Sequence, residues 1–319
     1  MILSAILIIL GFILLIKGAD FLVDGASNIA KKFHIPEIII GLTIVSIGTS
    51  MPELVVSISS ALEGRPDMAI GNVIGSNICN LLLIMGLATV IRPVKFQRET
   101  RLIEIPMCLI FTIIFMIFCN TETEISKIEG AVLLVLFVIF ILYTIIMAKK
   151  GEQFDKEDTI IEIQTERKQT SIFQSILFIA LGIIGLKIGG DLTVDNAVII
   201  AERLGISEKI ISLTILAIGT SLPELVTSVV AAIKGDSDIA IGNIIGSNIF
   251  NMLLIIGIVS LINPIFYNIS YNIEMAIFII AIILLSLFPI IPPKNQMNRP
   301  NGIIYLIFYI IYLVILFNI

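Results

Sequence analysis

Residues 20–93 and 191–264 carry nearly the same sequence, aligned without a gap at a constant offset of 171. Roughly forty of these 74 pairs are identical. One block reads GLTIVSIGTSMPELVVS at 41–57 and SLTILAIGTSLPELVTS at 212–228. A second reads DMAIGNVIGSNICNLLLIMG at 67–86 and DIAIGNIIGSNIFNMLLIIG at 238–257. Chance does not produce this, so the chain is an internal duplication. Its fold must place two copies of one unit together.

The unit is made for lipid. Of 319 residues, 57% are hydrophobic and 14% charged, with a mean hydropathy of +1.08. A soluble domain carries roughly 25% charged residues. Disorder, a collagen helix, a disulfide scaffold and nucleic-acid binding are excluded together. The net charge of −5 says little about partners, because most of the surface faces lipid. Apolar runs predict ten helices, at 3–30, 38–62, 67–91, 102–119, 128–148, 172–201, 210–233, 238–262, 272–291 and 301–318. Most reach the roughly 20 residues needed to cross hydrocarbon. The first and sixth are near 30 residues and imply tilt. The first lacks a basic leader and a clear cleavage site, so it is expected to stay.

Loops set the orientation. Those after helices 1, 3, 5, 7 and 9 hold 14 Lys and Arg residues, and the opposite side holds four. The positive-inside rule puts the first set in the cytoplasm and both termini outside. Five helices per half is an odd number, so the second half enters the membrane from the opposite side. The expectation is an all-α polytopic protein of the plasma (inner) membrane, with ten transmembrane helices as two inverted five-helix repeats, 1–148 and 172–319. Residues 149–171 form a charged cytoplasmic linker without the glycine spacing of an EF-hand loop.

Cys79, Cys108 and Cys119 lie in apolar runs with no zinc spacing and read as buried thiols, Cys79 as packing. A single histidine, His34, excludes a histidine-built metal site or proton relay. The informative polar residues are in the repeats. Glu53 and Glu224 fall midway along helices 2 and 7, where a charge costs about 2.5–3.5 kcal/mol on the lenient insertion scale. Such residues face a protein interior and mark ion paths. Pro52 and Pro223 lack an N–H and free the carbonyls of Gly48 and Gly219. Thr49, Ser50 and Glu53 share a helix face, as do Thr220, Ser221 and Glu224. Ser76 and Asn80 are four residues apart, as are Ser247 and Asn251. The donors are all hard oxygens, which suit Ca²⁺ and Na⁺ rather than copper or zinc. Two carboxylates neutralise one Ca²⁺, and Na⁺ ions competing for the same oxygens would give exchange. Gly71, Gly75, Gly242 and Gly246, at small-xxx-small spacing, predict close helix packing that brings Ser76 and Ser247 toward the glutamates.

GTSMPE and GTSLPE, each followed by GNVIGSN or GNIIGSN, resemble the two alpha repeats of the sodium/calcium exchanger family, closest to its compact prokaryotic members. The resemblance implies exchange of several Na⁺ for one Ca²⁺. Carried over by motif, it implies ion ligands at Thr49, Ser50, Glu53, Ser76 and Asn80, and at Thr220, Ser221, Glu224, Ser247 and Asn251. It adds backbone carbonyls at Ser46 and Ala217. Some members carry aspartate where this chain has Asn251, which argues against K⁺ co-transport here. No cofactor is implied beyond Na⁺ and Ca²⁺ as transported substrates, and no obligatory protein partner.

Two alternatives stay open, besides a channel, against which inverted repeats with a central ion cage favour alternating access. Buried glutamates can carry protons, so Ca²⁺/H⁺ exchange is the nearer one. An intramembrane hydrolase using the carboxylate pair is the other. Lys17 with Asp20 and Lys187 with Asp191 sit at helical pairing distance, and the repeated Asp20, Asp24, Asp191 and Asp195 read as structural.

Overall fold

The computed structural model describes residues 2–64, 67–121, 124–154, 171–205, 217–292 and 294–318. Nearly all of them are helical, because a chain in hydrocarbon must satisfy its backbone within each segment. The helices are α1 (Ile2–Lys32), α2 (Glu37–Thr49), α3 (Met51–Leu62), α4 (Met68–Ile91), α5 (Thr100–Thr121) and α6 (Lys127–Phe154) in the first half. The second half holds α7 (Ile172–Arg203), α8 (Ala217–Thr220), α9 (Leu222–Lys234), α10 (Ser237–Ile262), α11 (Ile269–Ile290) and α12 (Arg299–Asn318).

Among the described residues, eight helices are long and apolar enough to cross a membrane, and nine spans result if α2 and α3 count as one. The expected span 210–233 begins among residues outside those described; α8 and α9 are its described part. The helix expected to run unbroken over 38–62 is bent by 47° between α2 and α3. Ser50 leaves helical geometry at φ −84°, ψ 7°. Pro52 donates no hydrogen bond back to Gly48, so the turn is weakest there. Ser221 repeats the same geometry at φ −89°, ψ 6° before α9. Helix α6 runs on to Phe154, into the segment expected as linker, and residues 155–170 lie outside those described.

Helices α4 and α10 form the centre. Their apolar stretches are 72% and 83% buried, against 39% or less in the other long spans. Both widen from α to π geometry at matching places, Cys79–Ile84 and Asn251–Ile255. Two short antiparallel ribbons tie the halves together. Strand β1 (Val94–Lys95) pairs with β4 (Gln296–Met297), and β2 (Glu124–Ile125) pairs with β3 (Ile265–Phe266). Under the 171-residue offset Val94 corresponds to Ile265, so one ribbon is the counterpart of the other with the halves exchanged.

Helices α1 and α7 pack along each other at the edge. A Cβ at Gly18 would lie 2.7 Å from the Leu186 nitrogen, and one at Gly182 2.7 Å from the Leu22 nitrogen. Backbone therefore meets backbone, as small residues permit in lipid. The outer faces expose Leu3, Ile6, Ile9, Ile13, Ile176 and Leu181. Both predicted lysine pairs form, Lys17–Asp20 at 3.8 Å and Lys187–Asp191 at 2.8 Å. A third lysine joins them from far along the chain. Lys234, at the end of α9, sits 3.1 Å from Asp20 and 3.0 Å from Asp24 on α1.

Candidate ion-binding site

The two helix breaks create helix N-termini deep in the chain, and each places a glutamate in the first turn beyond it. Glu53 lies in the first turn of α3 and Glu224 in that of α9, both fully buried. The positive end of a helix dipole favours a carboxylate in that position. This explains why each glutamate directly follows a proline: the residue that interrupts one helix starts the next.

The glutamates are bonded across the repeats. Ser50 Oγ donates to Glu224 Oε1 at 2.8 Å, and Ser221 Oγ donates to Glu53 Oε1 at 3.4 Å. The carboxylates are neighbours, with Ser76 beside Glu53 and Thr49 beside Glu224. Glu53 Oε2, Glu224 Oε2, Ser76 Oγ, Ser247 Oγ, Thr220 Oγ1, Asn80 Oδ1 and Asn251 Oδ1 are buried without a hydrogen-bond partner among the described residues. A buried acceptor left unpaired costs about 1–3 kcal/mol, and a charged one more. The crossed serine–glutamate contacts, with Ser76 beside Glu53 and Thr49 beside Glu224, form a cluster of oxygens that a cation would satisfy. Among the described residues no three His, Cys, Asp or Glu side chains cluster. The cluster therefore holds two carboxylates and otherwise neutral oxygens.

The remaining expected positions behave differently from one another. The Ser46 hydroxyl donates to the Leu42 carbonyl at 2.9 Å. Its carbonyl accepts both the Ser50 N–H at 3.0 Å and the Thr49 hydroxyl at 3.3 Å. In the second repeat the Ser221 N–H goes instead to Ile218 at 3.2 Å, so the Ala217 carbonyl lacks that donor. The Thr49 hydroxyl has one hydrogen to give, and Asn243 Oδ1 at 2.9 Å is a second, nearer acceptor that competes with the Ser46 carbonyl for it. Gly246 packs tightly, a Cβ there falling 2.6 Å from Ser46 Oγ, and Gly242 meets the Ile38 carbonyl in the same way. At Gly75 no described atom lies within 4 Å of such a Cβ. Cys79 is buried in the large apolar core.

Six polar residues around the cluster escaped the sequence reading. Asn243 donates to Ser228 at 2.9 Å, and Asn72 donates to Ser57 at 3.1 Å. Asn77 and Asn248 bond to Asn251 and Asn80. All six are identical between the repeats, and that identity was the signal available for finding them.

Fold and cluster together define a multi-span helical membrane protein with a buried hard-oxygen centre. Comparison with known proteins places it further: the chain belongs to the sodium/calcium exchanger family, whose profile, described as sodium/calcium exchanger protein, matches residues 3–146 and 174–318. Sodium/calcium exchanger MaX1 of Methanosarcina acetivorans is 33% identical over 98% of both chains. Inner membrane protein YrbG of Escherichia coli is 36% identical over 89% of both. A solved structure of the sodium-calcium exchanger NCX_Mj, soaked with Na⁺ and Sr²⁺, superposes with a TM-score of 0.84 at 35% identity over 98% of both chains.

Proposed function

We propose that this chain is a secondary antiporter exchanging Na⁺ for Ca²⁺ by alternating access around a site that contains Glu53 and Glu224. The observation that carries the reading is the crossed pairing of Ser50 with Glu224 and Ser221 with Glu53, together with buried oxygens that have no partner among the described residues. Each repeat supplies one carboxylate, so the cluster carries −2 and one Ca²⁺ neutralises it. Ca²⁺ takes about 6–8 oxygens, and the two repeats hold that many in carboxylate, hydroxyl and amide form. Na⁺ ions drawn to the same carboxylates would compete with Ca²⁺, so the two substrates load in turn. A relative named as a sodium/calcium exchanger and a sodium-calcium exchanger of the same fold support this assignment of the ions.

The architecture we propose for it is ten transmembrane helices as two inverted repeats, 1–148 and 172–319, with the 149–171 loop cytoplasmic and both termini outside. The inverted pairing of two halves around a central site is what alternating access needs. Proteoliposomes loaded with Na⁺ test the function. Ca²⁺ uptake driven by an outward Na⁺ gradient is expected. Uptake driven by a proton gradient, with no response to Na⁺, would replace this reading with Ca²⁺/H⁺ exchange.

A further inference from the structure

Four asparagines meet where α4 crosses α10, and all four are buried: Asn77 and Asn80 from the first repeat, Asn248 and Asn251 from the second. Asn251 Nδ2 donates to Asn77 Oδ1 at 3.1 Å. Asn80 Nδ2 donates to Asn248 Oδ1, also at 3.1 Å. Asn77 Nδ2 in turn donates to the Asn248 backbone carbonyl at 3.3 Å. An asparagine presents a donor on one side and an acceptor on the other. Fixing the donor side therefore fixes where the acceptor points. Among the described residues, Asn80 Oδ1 and Asn251 Oδ1 are the two amide oxygens left buried and unpartnered. Each lies one helical turn beyond an unpartnered serine hydroxyl, Ser76 or Ser247, on the same helix face.

Resting on the ion-exchange reading above, we propose that Asn77 and Asn248 are positioning residues of the ion site. Each holds the amide nitrogen of the other repeat's asparagine, so that its carbonyl oxygen is presented to the cation. Asn77 also selects a neutral amide at position 251. Its acceptor oxygen faces residue 251 and its donor is committed to Asn248. A carboxylate at 251 would meet that oxygen acceptor to acceptor. Turning the Asn77 amide over would relieve this contact but set its oxygen against the Asn248 carbonyl. The charge of the cage is thereby held at two carboxylates by a residue that touches no ion.

The test is Ca²⁺ binding to the full-length, detergent-solubilised protein by titration calorimetry, in the parent, Asn77→Ala, Asn251→Ala and the double variant. Asn77→Ala frees the Asn251 amide to rotate and should weaken Ca²⁺ binding about tenfold, the scale of one oriented hydrogen bond. With Asn251 already replaced by alanine there is no oxygen to orient, so adding Asn77→Ala should change Ca²⁺ affinity little. A residue that merely braced the two helices would weaken binding equally in both backgrounds, and additive losses would overturn the proposal. Asn248→Ala with Asn80→Ala forms a second, independent cycle should the first pair fail to fold. A parent that binds no Ca²⁺ overturns the functional reading, and this inference with it. Additive losses in a parent that does bind overturn this inference alone.

Discussion

Ser50 donates its hydroxyl to Glu224 at 2.8 Å, while its counterpart Ser221 reaches Glu53 only at 3.4 Å. The two repeats are thus equivalent in sequence but not in the strength of their crossed contacts. A hydrogen bond to a charged group contributes about 1.5–3 kcal/mol. Ser50→Ala should therefore weaken Ca²⁺-dependent flux more than Ser221→Ala does. Glu53→Gln or Glu224→Gln, which halves the cage charge, should abolish flux in protein that still inserts. Ca²⁺ uptake into proteoliposomes reads all four variants, and near-normal flux in both glutamine variants would remove the carboxylates from the ion path.

Asn251→Asp adds a third negative charge to the cage and sets it against Asn77. The parent should exchange Ca²⁺ without K⁺. The aspartate variant should bind Ca²⁺ less selectively and gain a response to an added monovalent cation. Flux measured with and without K⁺ in both proteins checks this. An absolute K⁺ requirement in the parent would contradict the role given to the neutral amide.

Gly18 and Gly182 let α1 and α7 touch through their backbones. Gly18→Val would insert a branched side chain where even a Cβ lies 2.7 Å from the Leu186 nitrogen. The helices must then move apart along their length. The expected outcome is a loss of several degrees in melting temperature, followed by thermal unfolding in detergent. Gly64→Ala is a useful comparison. That glycine has a φ of +78° but open space around it among the described residues, so its cost is confined to local backbone strain.

Lys234 bridges α9 to Asp20 and Asp24 on α1, partly exposed to solvent. Lys234→Gln should cost about 1 kcal/mol, since such pairs are partly screened. The equivalent position in the first repeat is Glu63, which bears the opposite charge. Glu63→Gln should therefore leave the melting temperature unchanged. Equal effects of the two substitutions would show that the lysine bridge contributes nothing.

Orientation is open to direct labelling. A cysteine placed at Gln153 should react only with reagents admitted to the cytoplasm, and one appended after Ile319 only from outside. Both reacting from the same side would break the inverted ten-helix arrangement.

Much of this molecule was legible before any coordinates. Spans such as α1, α4 and α10 are written in runs of Ile, Leu and Val, and the repeat marks Glu53 and Glu224 as a pair. Local spacing also anticipates Lys17 with Asp20 and Lys187 with Asp191. What stayed hidden is long-range. Helical spacing places Ser50 on the same face as Glu53, yet the hydroxyl bonds to Glu224, because the bend at Ser50 turns it toward the other repeat. No local rule links Lys234 to Asp20, 214 residues earlier. The Asn77–Asn251 contact escaped for the same reason: sequence identity says that both matter, and only the crossing of α4 and α10 says that they meet.

The crossed serine–glutamate contacts also bear on how the protein is made. Glu53 enters the membrane early in synthesis, and the hydroxyl that bonds it, on Ser221, is translated 168 residues later. Until then the first half carries a carboxylate in an apolar helix without that partner. Neither half holds both partners of either contact, so a truncated product would be left with an acid in an apolar helix without its serine partner. Duplication gave this chain two copies of one unit, and the exchange of partners between them makes each copy depend on completing the other.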